Sequence, residues 1–213
     1  MSDSTPPPPT PPVDGVIKFR CELSLGSAWD SESCLEFSEV RRALHTAHLI
    51  GVDPEGIGFG NLSVLLPQAT GGVPFVISAS ATGGLAELGV EDVCRVERVW
   101  VADNRVACIG SKPASSETMT HAVAYETERA RAVVHVHHAE TWRRLLGVVP
   151  STPADVPYGT PEMAEALRTL LLALPPDCEQ TIAMGGHPDG LLFLAASLES
   201  AARAALRTCI ATG

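Results

Sequence analysis

The sequence predicts a layered α/β domain built around a mixed β-sheet. Three observations carry this. Short apolar strands alternate with helical segments along the whole chain. Some strand pairs are joined by tight turns, as in hairpins, while others are separated by helices. No internal repeat is present. The 213 residues suffice for one sizeable core, so one folded domain over residues 15–213 is expected.

Each element has a local reason. Residues 1–14, MSDSTPPPPTPPVD, are too proline-rich to bury a core and read as a disordered or polyproline II tail. VIKFRCELS alternates Ile17, Phe19, Cys21 and Leu23 with Lys18, Arg20 and Glu22, a strand with one wet face. ESCLEFSEVRRALHTAHLIG places Leu35, Val40, Ala43, Leu44 and Ala47 near helical spacing before Gly51. GIGFGNLSVLL is a glycine-rich turn entering a strand, and PFVISAS is a short buried strand. RVERVWVADNRVACIG reads as a hairpin turning at Asp103-Asn104.

SSETMTHAVAYETERA is a helix with Ser115 or Ser116 as its cap. AVVHVH is a strand and AETWRRLLG a helix. TPEMAEALRTLLLAL has Thr160 at the cap, Pro161 at the first helical position and Pro175 beyond the end. QTIAMGG and GLLFLAA are strands, and SLESAARAALRTCI is a closing helix capped by Ser197.

Composition narrows the function classes. Net charge is −10 and the pI about 5.1. No phosphate-neutralising basic surface is evident, which argues against nucleic acid or anionic lipid as a partner. No apolar run reaches the roughly 18–20 residues of a spanning helix, and the N-terminus has no signal-peptide pattern. The six cysteines are scattered without a CxxC pair, consistent with reduced thiols in a cytoplasmic protein.

RAVVHVHHAETW puts His135, His137 and His138 in an apolar strand. Residues i and i+2 share a strand face roughly 6.5–7 Å apart, so His135 and His137 project together and His138 points away. Such a pair is either a metal pair or two hydrogen-bonded neighbours. Catalytic zinc commonly takes three protein ligands and an open position. His187, in the glycine-flanked turn MGGHPDG, is the candidate third ligand. His121 lies mid-helix and reads as a core or supporting histidine, and His45 and His48 as ordinary helix residues. Glu117 follows two serines in the first turn of its helix, where Ser115 and Ser116 could hold an anion and Glu117 could move protons. The competing reading is a capped helix with an exposed glutamate. Glycines 56, 58 and 60 could bring backbone N–H groups close to a ligand, although neither GxxxxGK[ST] nor GxGxxG is present.

Taken in order, GFGNLSV, FVISAS, KPASSETMTHAVAYE, AVVHVHH, PYGT and GGHPDGLLFLAASLESA resemble the class II aldolase/adducin family over roughly residues 33–208. The resemblance implies a three-layer α/β/α fold around a mixed, largely antiparallel sheet. It implies one zinc ion per chain held by His135, His137 and His187, with Mn2+, Co2+ or Fe2+ as other possible occupants of such a site. It implies Glu117 as acid/base; Tyr158 or Tyr125 is the candidate to give a proton to the leaving aldehyde. Gly60, Asn61, Ser80, Ser115 and Ser116 match positions that bind the polar end of an anionic small-molecule substrate. It also implies a homotetramer. The reaction implied is carbon–carbon cleavage of a hydroxy-carbonyl substrate, a sugar phosphate or hydroxy-keto acid, through a zinc-stabilised enediolate. Decarboxylation or dehydration on the same site, and a non-catalytic adducin-like assembly role, are the alternatives; a 4-epimerase ranks lower. The chain departs from the family pattern at HPDG, where HG is usual, and at SASATGG, where either Ser80-Ala81 or Thr82-Gly83 stands for the phosphate loop. It departs again at Gly58 in place of a threonine, in a shortened PYGT region and in a short C-terminal end. These departures fall on substrate-selecting loops and leave the metal motif intact.

Overall fold

Eight strands form one sheet in a computed structural model that describes residues 16–67, 73–175 and 179–210. The proline-rich segment 1–14 and Cys178 lie outside the described residues. Strand β1 (Arg20–Leu25) leads into helix α1 (Ser31–Thr46), a small β2–β3 hairpin (Gly51–Val52 and Gly58–Phe59), then β4 (Asn61–Leu65) and β5 (Phe75–Ser78). The hairpin β6 (Val93–Trp100) and β7 (Arg105–Gly110) follows, then α2 (Thr118–Glu126), β8 (Ala132–His137) and α3 (Ala139–Leu145). Helix α4 (Pro161–Ala173), β9 (Gln180–Ala183), β10 (Gly190–Ala195) and α5 (Leu198–Ile210) close the chain. The sheet order is β1-β7-β6-β5-β4-β8-β10-β9. Only the β1–β7 pairing in that sheet is parallel. No described helix is long and apolar enough to cross a membrane.

Alternation along β8 sorts its side chains between two cores. Val134 and Val136 join Phe37 and Leu44 of α1 and the alanines of α5 on one face. Val133 packs with Met119 and Val123 of α2 and Met163 and Leu167 of α4 on the other. Helices therefore cover both faces, and the architecture is the expected three-layer α/β/α sandwich.

Several local expectations hold. Thr160 Oγ1 accepts from the Met163 amide with Pro161 at the first helical position, and Ser197 Oγ accepts from Ser200 N. Others are corrected. Helix α1 is capped by Asp30, whose side chain accepts from Ser33 N, and it ends at Thr46. His48 lies beyond it, in a left-handed conformation. Leu35 faces out, while Phe37 and Arg41 are buried. Apolar counting missed this face because a buried guanidinium lies on it, and the carbonyls of an adjacent loop offset its desolvation. Helix α2 starts at Thr118 with Glu117 in the cap position and has no side-chain cap, so neither Ser115 nor Ser116 caps it. The five described cysteines are free thiols.

His121, in the middle of α2, is fully buried and shares a 2.6 Å hydrogen bond with Ser63 Oγ, which also bonds the Tyr125 hydroxyl. Burial lowers its pKa to about 3, so the folded protein resists the proton that an unfolded histidine takes up near pH 6.5. His121 thus opposes folding below about pH 6.5, and stability falls as pH drops from there toward 3, by about 1.4 kcal/mol per pH unit for this one group. Urea unfolding at pH 5.5 and 4.5 should show wild type losing about that much more than His121→Gln over the same interval. Parallel losses in the two proteins would remove His121 as the source.

Candidate metal centre and adjoining pocket

Strand β8 lies between β4 and β10. His135 pairs with Asn61 on one side and Leu192 on the other, and His137 pairs with Gly190. The two histidines point to the same face, with Nε2 atoms 3.2 Å apart. His138 faces the other way and caps α3 by accepting from Thr141 N. His187 sits on the β9–β10 connection, and Gly190 N donates to its carbonyl at 3.0 Å. One ligand nitrogen from each of His135, His137 and His187 lies within 4.8 Å of the others, and His135 and His187 are fully buried.

Nitrogen orientation matches ligation. His135 Nδ1–H donates to the Leu191 carbonyl at 3.1 Å, which leaves the Nε2 lone pair toward His137. Burial, then the neighbouring His187 and His137, hold His135 well below the ordinary imidazole range. It is therefore neutral at pH 7, the state a metal requires. An all-imidazole donor set of three, with His135 and His187 buried and His137 half-buried, fits zinc, with a fourth position left for solvent or substrate.

The turn carrying His187 is fixed from three sides. Trp142 Nε1 donates to Met184 O at 2.9 Å, and Gly185 N donates to Thr152 Oγ1 at 3.0 Å. Gly186 packs directly on the Val156 carbonyl, where a Cβ would collide with backbone. This explains the glycine pair before His187. The HPDG turn keeps its histidine in place, with Asp189 taking the left-handed conformation.

Next to the triad lies a small polar pocket. Its walls are Gly58–Asn61, residues 79–83, Ser115–Glu117 and His135, and its cavity volume is about 30 Å³. That is room for a few water-sized groups, such as one end of a small anion. Gly60, Asn61, Ser80, Ser115, Ser116, Glu117 and His135 thus meet at one place. Gly60 has φ +74°, and a Cβ there would press on Ile50 and on the carbonyl of His135. Glu117 is buried rather than exposed, and its Oε2 accepts from Thr120 Oγ1 at 3.0 Å. Tyr158 is also buried, its ring stacked on His187 at 3.9 Å between centroids. Tyr125 is not among the pocket-lining residues and bonds Ser63 instead.

Both halves of the SASATGG stretch, Ser80-Ala81 and Thr82-Gly83, line the pocket wall. Two features around the site were not singled out in the sequence. Arg41 holds that wall from behind, donating from Nη2 to the Thr82 and Gly83 carbonyls at 2.7 and 3.1 Å and from Nε to Leu85 O at 2.8 Å. Lys18 reaches Tyr158 across 140 residues of chain. An arginine in the apolar register of α1 was the available signal for Arg41. Lys18 had none, because it read as the wet face of a strand.

The chain belongs to the family described as Class II Aldolase and Adducin N-terminal domain, whose profile matches residues 55–206. Among solved structures it is similar in fold to L-fuculose-1-phosphate aldolase from Thermus thermophilus. The TM-score is 0.51 and the identity 23%, over 83% of this chain and 88% of that one. No curated protein matches the sequence.

The packing predicts a contrast between glycines. Gly56 also has positive φ but an open Cβ direction. Gly56→Ala should cost about 1 kcal/mol of backbone strain. Gly186→Ala, which must push the 152–156 segment away, should cost at least about 2 kcal/mol by urea denaturation. Equal costs would mean that the Gly186 contact does not constrain the turn.

Proposed function

We propose that the protein is a metal-dependent carbon–carbon lyase of the class II aldolase type. Its substrate would be a small hydroxy-carbonyl compound with an anionic end. The observation that carries this reading is the convergence of three imidazole nitrogens within 4.8 Å beside a polar pocket that Glu117 lines. Membership of the aldolase/adducin family supports it.

In this reading His135, His137 and His187 hold the metal, with zinc the best match to an all-nitrogen donor set. When bound, a divalent metal supplies Lewis-acid stabilisation of negative charge developing on a substrate carbonyl oxygen. The protein's own groups do the rest. Ser80, Ser115, Ser116, Asn61 and the backbone around Gly60 take the substrate's anionic end in a pocket too narrow for its whole body. That fixes the reacting carbons against the triad. Glu117 moves the proton at the carbon or hydroxyl beside the carbonyl, and Thr120 holds one of its oxygens. Tyr158 is the proposed donor to the leaving aldehyde, and its position against His187 keeps it at the reaction centre. The buried Arg41 places positive charge behind the 79–83 wall, which favours an anion there. A homo-oligomer belongs to the same proposal.

Purified protein should carry about one zinc per chain by elemental analysis, and His137→Ala should lose it. Wild type that takes up no divalent metal would turn the reading toward a binding or assembly role. Glu117→Gln should keep the metal and lower cleavage by roughly 10²–10⁴-fold on whichever hydroxy-carbonyl substrate wild type turns over. Unchanged turnover would remove Glu117 from the proton transfer.

A further inference from the structure

Lys18 lies well outside the segment that matches the family, residues 55–206, yet it reaches the metal centre. Its backbone is anchored at the far edge of the sheet, where Asn104 Nδ2 donates to Lys18 O at 2.9 Å and Arg20 N donates to Asn104 O at 2.9 Å. From there the half-buried side chain crosses to Tyr158. Lys18 Nζ donates to the Tyr158 carbonyl at 2.6 Å and stands 3.7 Å from the centroid of the Tyr158 ring. The same ring is stacked on His187, with 3.9 Å between centroids and 15° between planes. At the next residue, Gly159, a Cβ would touch both Lys18 Nζ, at 3.4 Å, and Glu117 Oε1, at 3.5 Å.

We propose that Lys18 is a positioning residue for the metal centre: its ammonium clamps Tyr158 so that the ring holds His187 in the orientation that completes the triad. The inference rests on the reading above, that the three histidines hold a divalent metal. Two contacts fix Tyr158 at once. The carbonyl bond sets its backbone, and the cation over its face sets its ring. His187 is then wedged between that ring and the other two imidazoles, at 4.9 Å from His135 and 4.7 Å from His137 between centroids. A ligand supported this way loses little freedom on binding metal, and loss of such outer support typically weakens a site roughly 10–100-fold. The sign separates this role from simple charge. An ammonium near a dication repels it, so deleting the charge alone would tighten metal binding. Loss of the clamp acts in the opposite direction and weakens it.

The test is zinc affinity at fixed pH, by competition with a chromophoric chelator, in full-length protein. Lys18→Met is expected to bind zinc at least about tenfold more weakly than wild type, and Lys18→Arg to recover most of that affinity, because it keeps both the cation and the donor. Tyr158→Phe, which retains the ring, should stay near wild type, and Tyr158→Leu should weaken as Lys18→Met does. Zinc bound as tightly or more tightly in Lys18→Met overturns the proposal. Should Lys18→Met fail to fold, the two Tyr158 variants decide, and equal affinities in them overturn it. Wild type that binds no zinc overturns the metal reading and this inference together. Wild type that binds zinc beside an unchanged Lys18→Met overturns the inference alone.

Discussion

Everything at this site depends on the register of β8 between β4 and β10. That register sets Asn61 opposite His135 and Gly190 opposite His137. It aims His135 and His137 at one point on the α2/α4 side of the sheet and delivers the His187 turn to the same point. One hydrogen bond, from His135 Nδ1–H to the Leu191 carbonyl, then leaves Nε2 free to ligate. A slip of one residue in β8 would turn both histidines into the opposite core, toward Phe37, Leu44 and Phe193, and bring Val134 and Val136 to the site face.

The pocket beside the triad follows from close backbone packing of the same kind. Gly60 allows the turn before β4 to run close to His135. The 79–83 segment is fixed to the 113–114 segment by Ser80 N, which donates to Pro113 O at 2.8 Å, and by the bridge between Ala79 and Ala114. Arg41 satisfies the outward carbonyls of that segment, so its other side is left to face the pocket. The polar groups come from four separate stretches of chain. The site is therefore a property of the fold rather than of any one loop.

Much of this was legible in the sequence. Period-two alternation in AVVHVH gave both the strand and the shared face of His135 and His137, because strand geometry leaves no other arrangement. The glycines around His187 suggested a close loop approach to the site; the close approach that requires Gly186 is instead to the backbone at Val156. The three layers followed from the resemblance. Legibility failed where a polar group is buried for a tertiary reason. Arg41 occupies an apolar position on α1, and its carbonyl partners at Thr82 and Gly83 lie 41 and 42 residues away. Ser115 and Ser116 look like helix caps but sit just ahead of the cap position, which Glu117 occupies, and they line the pocket instead. Lys18 looks like a solvated strand residue, and its partner is known only once β1 is placed at the sheet edge.

The central claim is that a metal in this protein is held by these three histidines. X-ray absorption at the zinc edge of the metal-loaded protein tests it most directly. The expected spectrum has a shell of nitrogen or oxygen scatterers at about 2.0–2.1 Å with three-imidazole outer-shell scattering. A sulfur shell near about 2.3 Å would contradict it and move the metal to thiols such as Cys21 and Cys108, whose sulfurs lie 3.5 Å apart.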